Sequence, residues 1–274
     1  MQTRQEAFYS PIEVERVVRK RVEKIYAQGG HIDYLTIVPD GEPTLDILLA
    51  EQIKALRPLD IKIAVITNGS LLYRKEVREA LGLADWVSVK VDSVVQEIWR
   101  RVDHPYKGLD LGEILEGVQA FAQAFTGRLV TETMLVRGVN DEVSCLEKTA
   151  SFIQGLSADT SYLSIPTRPP ADSRVLPPDE GQINLAFQVF SDRLEKVEYL
   201  IGYEGNEFSS TGDIREDLLG ITSVHPMRAD ALDAFVQRYK GDWAEVKGLV
   251  NKGELIETSF NGHTFYVRAL RKKA

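Results

Sequence analysis

The sequence predicts an α/β fold: a partial (β/α)6 barrel lacking its first strand, followed by a small winged-helix-like C-terminal module. Two observations predict it. Short apolar runs alternate with helical patterns as far as residue 205, which is the signature of β-α-β units and a parallel sheet. Residues 206–274 then change pattern, to helices followed by two alternating segments joined at Asn261-Gly262, a strong hairpin signal. A complete eight-stranded barrel takes about 250 residues. Residues 1–205 are too few for that and hold five clear strand patterns and a weaker sixth, so the barrel is expected to be open.

The elements follow in order. Residues 10–27 (SPIEVERVVRKRVEKIYA) read as a helix. An α/β fold rarely opens on one, because the helix needs a preceding strand to pack beside. Residues 32–38 (IDYLTIV) read as a strand, and 44–56 as a helix with Thr44 as its N-cap. Residues 62–67 (KIAVIT) form a strand stopped by Asn68-Gly69. A helix over 74–83 and a strand over 86–92 (WVSVKVD) come next. Helices over 94–102 and 110–125 are split by His104-Pro105. Then follow a strand over 128–136, a helix over 141–156 capped by Asp141, a strand over 161–166, a helix over 182–194 and a short strand over 198–203. In the last segment, 229–239 and 243–251 are helical, with Asp242 capping the second, and 254–260 and 263–270 form the hairpin. The expected domains are therefore 1–205 and 206–274.

Composition narrows the function. The 274 residues are 43% hydrophobic and 27% charged, with a net charge of −8. That is ordinary globular composition, and it argues against a nucleic-acid-coating protein. No apolar run is long enough to span a bilayer and no leader is visible, so a cytoplasmic protein without a membrane partner is expected. The last predicted helix sets Asp242 and Glu245 against Lys247, and only Arg268, Arg271, Lys272 and Lys273 make a basic tail. Sequence-specific DNA binding is not expected, while RNA or protein contact stays open. No two of the four histidines stand four residues apart, so no helical metal pair exists.

In parallel α/β folds, ligands bind at the C-terminal ends of the strands. Those ends carry Gly41-Glu42-Pro43-Thr44-Leu45, Thr67-Asn68-Gly69-Ser70-Leu71 and Met134-Leu135-Val136-Arg137-Gly138-Val139-Asn140-Asp141, in that order. The three together resemble the radical S-adenosylmethionine (radical SAM) superfamily, and among its branches the wyosine-type tRNA-modifying enzymes. The likeness covers most of residues 1–205. It implies a partial (β/α)6 barrel that binds S-adenosylmethionine beside a 4Fe–4S cluster and cleaves it reductively to a 5′-deoxyadenosyl radical. That radical would abstract hydrogen from a substrate, with RNA as one possibility, and a separate electron donor would reduce the cluster. The family's Gly-Gly-Glu segment matches Asp40, Gly41, Glu42 and Pro43, with Asp40 where the first glycine is common. Backbone carbonyls there would face the cofactor ammonium, with Glu42 as counter-charge. Thr67, Asn68, Lys90, Asp92, Glu132 and Arg168 complete the cofactor-binding candidates. Carboxylates suit a ribose diol, and cations suit the methionine carboxylate. Plainer roles stay open: a salt bridge across the barrel mouth for Lys90 and Arg168, and a turn role for Asn68.

The family's CxxxCxxC loop is not in the sequence. The one cysteine, Cys145, sits mid-helix and reads as a small buried apolar residue. Two explanations follow: a chain truncated before or through that loop, or a cluster-less scaffold that binds S-adenosylmethionine or a partner. Truncation is the expected one, because losing a first strand leaves the edge of the 32–38 strand unpaired. No catalytic residue and no metal ligand is singled out.

Overall fold

The structure, a computed structural model, describes residues 3–38, 41–170, 172, 174–200, 210, 212–224, 226–260 and 262–269. The chain divides into two compact units. One comprises Met1–Arg19, Ile32–Pro166 and Arg174–Gly202, and the other Lys20–His31, Thr167–Ser173 and Tyr203–Ala274.

The first unit is built on one sheet. Its strands are β1 (Tyr34–Ile37), β2 (Lys62–Thr67), β3 (Trp86–Lys90), β4 (Arg128–Met134), β5 (Thr160–Ser164) and β6 (Val197–Leu200). They lie side by side in chain order and every neighbouring pair is parallel. The expected six-stranded parallel architecture is therefore present. Parallel neighbours need long crossovers, and helices supply them. These are α2 (Leu49–Leu56), α3 (Lys75–Leu81), α4 (Gln96–Asp103), α5 (Leu111–Ala124), α6 (Val143–Gln154) and α7 (Glu180–Ser191), preceded by α1 (Pro11–Ala27).

Side chains alternate across the sheet, and the two faces differ in chemistry. Ile63, Val65, Val87, Val89, Leu129 and Leu163 join Ile53, Leu81, Val118, Phe121, Leu146 and Phe190 of the helices in one core. The opposite face brings Lys90, Glu132 and Tyr162 into register as direct neighbours on β3, β4 and β5. The polar face is thus set by strand periodicity, and its charged end is the C-terminal end of the sheet.

Two expected caps are corrected. Residues 44–56 are not one helix headed by Thr44. A 3-10 turn covers Pro43–Leu45 with Glu42 as its cap, and α2 starts afterwards at Leu49. Asp46 separates them, because its Oδ1 takes the Leu48 N–H at 2.9 Å and its Oδ2 takes Gln52 Nε2 at 2.8 Å. Asp141 does not cap α6 either. Its Oδ1 takes the Gly138 N–H at 2.8 Å, and Glu142 stands at the cap position. Asp110, Asp179 and Asp242 do cap α5, α7 and the last helix, each accepting a backbone N–H of the first turn.

The second unit contains α8 (Ile214–Val224), β7 (Met227–Arg228), α9 (Ala229–Arg238), α10 (Trp243–Asn251), β8 (Leu255–Phe260) and β9 (His263–Arg268). Its sheet order is β7-β9-β8, antiparallel throughout. Leu218, Met227, Leu232, Phe235, Val246, Leu249 and Leu255 form its separate core. Inside this unit Arg21 of α1 pairs with the fully buried Asp217 of α8 at 3.3 Å.

One glycine decides how α5 seats. A Cβ on Gly117 would stand 2.4 Å from the backbone of Leu72 and Tyr73, which cannot yield as a flexible side chain would. Gly117→Ala is expected to destabilise the protein by about 1–3 kcal/mol or more through overpacking. Urea denaturation checks this, and an unchanged midpoint would contradict the close approach.

Candidate functional site

Four connections converge above the C-terminal ends of β1, β2 and β3. The first is the turn after β1. Glu42 is buried, and its carboxylate collects four donors: Thr44 N at 3.1 Å, Thr44 Oγ1 at 2.7 Å, Thr67 Oγ1 at 2.6 Å and Asn68 N at 2.8 Å. Burial pushes the Glu42 carboxyl above its usual range, and the Thr67, Asn68 and Thr44 donors pull against that. The effect is to splice the loop after β1 to the end of β2. Gly41 precedes it at φ +136°, a conformation open to glycine and rare for other residues.

The second connection follows β2. Asn68 Oδ1 accepts the Ser70 N–H at 2.9 Å, an Asx turn, so its side chain shapes the loop. The third follows β3. Asp92 is buried, and its Oδ1 accepts the Met134 N–H at 2.7 Å. Lys90 Nζ lies 3.3 Å from Asp92 Oδ2 and 3.9 Å from Glu132 Oε1. Burial acts to lower the Lys90 pKa. Asp92, Glu132 and Asp103 outweigh it, and the net shift is upward, so the ammonium keeps its charge. Glu132 also accepts Ser164 Oγ at 2.8 Å.

The fourth is the α4–α5 turn. Helix α4 ends on Asp103, His104 reverses the chain in the left-handed region at φ 44°, and α5 starts at Leu111. The expected break at His104-Pro105 is therefore where the structure places it. Trp99 and Asp103, one helical turn apart, share a face.

Together these segments enclose a cavity of about 330 Å³. Glu42, Asn68, Lys90, Asp92 and Asp103 give it a polar side. Trp99, Leu109, Leu111, Ile114 and Val118 give it an apolar one. Burial and the neighbouring Asp92 carboxylate push Asp103 up to about 8. Asp92 Oδ2 is buried with the Lys90 ammonium 3.3 Å away, and among the described residues it accepts no well-aligned hydrogen bond. Such an acceptor lining a cavity has capacity left for a ligand hydroxyl or amine.

Of the residues picked from sequence, Gly41, Glu42, Asn68, Lys90 and Asp92 line this cavity. Pro43 and Thr67 are buried beside it, Pro43 opening the 3-10 turn and Thr67 bonding Glu42. Glu132 reaches it through Lys90. Asp40 lies outside the described residues, and Arg168 belongs to the second unit. Trp99 and Asp103 were missed. Their i, i+4 spacing in QEIWRRVD, a large aromatic and an acid on one helical face beside a strand end, was the available signal. Cys145 is buried in α6 as expected, with Sγ 3.4 Å from Ser93 Oγ. Among the described residues no three His, Cys, Asp or Glu side chains are placed to hold a metal ion, and no helix is long and apolar enough to cross a membrane.

The geometry agrees with what comparison finds. Residues 3–153 match the Radical SAM superfamily. A UPF0026 protein of Methanocaldococcus jannaschii is 39% identical over 268 residues, which are 97% of this chain and 83% of that protein. The chain belongs to the Radical SAM superfamily. Two solved structures share this radical SAM protein's fold at low identity. TYW1 with a lysine-pyruvate adduct bound is 18% identical with a TM-score of 0.54, over 70% of this chain and 66% of that one. Streptococcus suis SuiB bound to S-adenosylmethionine is 12% identical with a TM-score of 0.54, over 78% and 50%.

The Glu42 arrangement yields a direct test. Glu42→Gln exchanges one acceptor oxygen for an NH2 group. Whichever way the amide turns, that group meets a backbone N–H, of Thr44 or of Asn68. The variant is expected to lose about 1–3 kcal/mol of stability. Chemical denaturation measures it, and equal stabilities would mean the carboxylate is not the splice between the two loops.

Proposed function

We propose that this chain is the S-adenosylmethionine-binding barrel of a radical SAM enzyme, and that the cavity at the ends of β1, β2 and β3 is the cofactor pocket. The observation that carries the reading is the buried Lys90–Asp92 pair, 3.3 Å apart, on the wall of a cavity of about 330 Å³ at the C-terminal end of a parallel sheet. The residues there fit the cofactor. Asp92 is an acceptor for a ribose hydroxyl, and Lys90 a cation for the methionine carboxylate. The apolar side formed by Trp99, Ile114 and Val118 excludes water from the bound molecule. Glu42 fixes the loop whose backbone would meet the cofactor ammonium, because its own oxygens are already bonded. S-adenosylmethionine, when bound, supplies the radical chemistry of the superfamily. The bound cofactor in the SuiB structure supports the reading as an analogy of fold.

The 4Fe–4S cluster does not fit these residues. A cluster of this class needs three thiolates, and the single cysteine is buried inside α6. Its ligands would have to come from outside these 274 residues, and no step is routed through it. That single cysteine also favours a second reading, a scaffold that binds S-adenosylmethionine without redox chemistry. In the second unit, the order helix, strand, two helices, hairpin supports a winged-helix-like module, whose partner we propose to be RNA or protein in preference to a specific DNA site.

Calorimetric titration of the folded chain with S-adenosylmethionine tests the pocket. Binding is expected, and Asp92→Ala should weaken it by roughly tenfold or more, since each lost charge-assisted hydrogen bond is worth about 1.5–3 kcal/mol. No heat of binding to folded protein would sink both readings. Iron analysis of protein purified anaerobically from its own cells separates them: bound iron supports the enzyme, and iron-free protein that still binds the cofactor supports the scaffold.

A further inference from the structure

The charges at the cavity do not balance. Lys90 is one ammonium among three carboxyl groups, Asp92, Asp103 and Glu132, on β3, α4 and β4. Glu132 is half-buried and also holds Ser164 Oγ, and Glu42, across the cavity, is saturated by four donors. The arginines of α4 turn elsewhere: Arg101 Nη2 donates to the Gly138 carbonyl at 3.1 Å, and Arg100 faces Gln96. Asp103 stands at the C-terminus of its helix, where the dipole disfavours an anion. Meanwhile Asp92, with no exposed side-chain surface, has one oxygen that faces the Lys90 ammonium at 3.3 Å without a well-aligned hydrogen bond.

We propose that Asp103 is a positioning residue of the cavity: it shares one proton with Asp92, and that O–H···O bond holds the Asp92 carboxylate and the end of α4 against the bound ligand. Asp92 and Asp103 line the same cavity, and each carboxyl acts on the proton affinity of the other. One proton between them answers both features, giving Asp92 an aligned donor and removing a charge from the crowded side of Lys90. Burial and the Asp92 charge both push Asp103 upward, against the pull of Lys90, so the proton stays on through the neutral range. Asp92 is raised as well, chiefly by burial, as expected of two acids that hold one proton between them.

The sign of the pH effect follows. In the unfolded chain Asp103 titrates as an ordinary aspartate, and in the folded chain at about 8. The stability carried by its neutral form is complete below the unfolded pKa, is lost as pH rises toward about 8, and changes no further above that.

Three measurements on the full chain test this, and two use no ligand. The first compares thermal unfolding of wild type and Asp103→Asn from about pH 5 to 9.5. Asparagine is a permanently neutral donor, so its advantage over wild type should widen up to about pH 8 and then level. Parallel curves overturn the proposal. Should Asp103→Asn not fold, carbon-13 titration of the wild-type aspartate carboxyls decides the same point. A midpoint near 8 for Asp103 supports the shared proton, and a midpoint below about 5 overturns it. The third measurement rests on the cofactor reading above. Affinity for S-adenosylmethionine should fall roughly tenfold between about pH 8 and 9 in wild type and stay flat in Asp103→Asn. Equal slopes overturn the positioning role. No binding at any pH overturns the cofactor reading alone, because the unfolding and carboxyl titrations still decide the proton.

Discussion

A carboxylate without solvent is tolerable only where donors meet it, and much of the site is arranged around one such group, Asp92. Its Oδ1 holds the Met134 N–H, and its partner Lys90 stands two residues back on the same strand. Its own carbonyl takes Asn140 Nδ2 at 2.9 Å, and that amide also reaches the Met134 carbonyl, while Asn140 Oδ1 accepts the Val136 N–H. The end of β3 is thereby tied to the end of β4 and to the loop beyond it, through buried groups whose loss would leave several others unpaired. An effective penalty of several kcal/mol per buried ion is offset only when such bonds are all made. The same logic operates at Glu42, which ties β1 to β2. Two acidic residues thus fix the loops after four consecutive strands, and the cavity is what those loops enclose.

Strand register explains why the charges gather where they do. In a parallel sheet, direct neighbours share a face, so Lys90 beside Glu132 beside Tyr162 is a consequence of pairing, with no special turn required. The odd-numbered neighbours on β2, β3 and β4 go to the helix layer and make the apolar core. Asp92 and Asp103 then line a cavity with an apolar wall from α4 and α5, and burial there raises their proton affinity.

What was legible in the sequence followed from local rules. Strand β2 ends where Asn68-Gly69 requires it, and α10 starts where Asp242 caps it. Helix α8 was not foreseen, because Gly220, Thr222 and Ser223 dilute its pattern and its buried Asp217 interrupts an apolar face. β7 has two residues, too few to show a period. Thr44 resembled a cap because the sequence cannot show that Glu42, two residues earlier, turns its carboxylate onto Thr44's own N–H and hydroxyl. Asp92 was visible as an acid at a strand end. Asp103 was not, since its character comes from burial against residues distant in sequence.

That distinction bears on what the cavity is for. A fold needs no neutral aspartic acid beside a buried aspartate. Well-packed apolar replacements of buried ionic groups are often neutral or stabilising, so such a cluster is weak support for the structure that contains it. Here the cluster has the marks of a site kept for its chemistry: one buried acceptor without a well-aligned hydrogen bond, one acid pushed upward by burial and a neighbouring carboxylate, one ammonium beside that acceptor, and a cavity directly alongside. Each feature alone has a structural explanation. Their coincidence on one wall does not, because packing alone would have closed the volume and removed the excess charge. A ligand offering both hydroxyl donors and a carboxylate would meet Asp92 and Lys90 together, and the proposed cofactor pocket rests on that joint match more than on either residue singly.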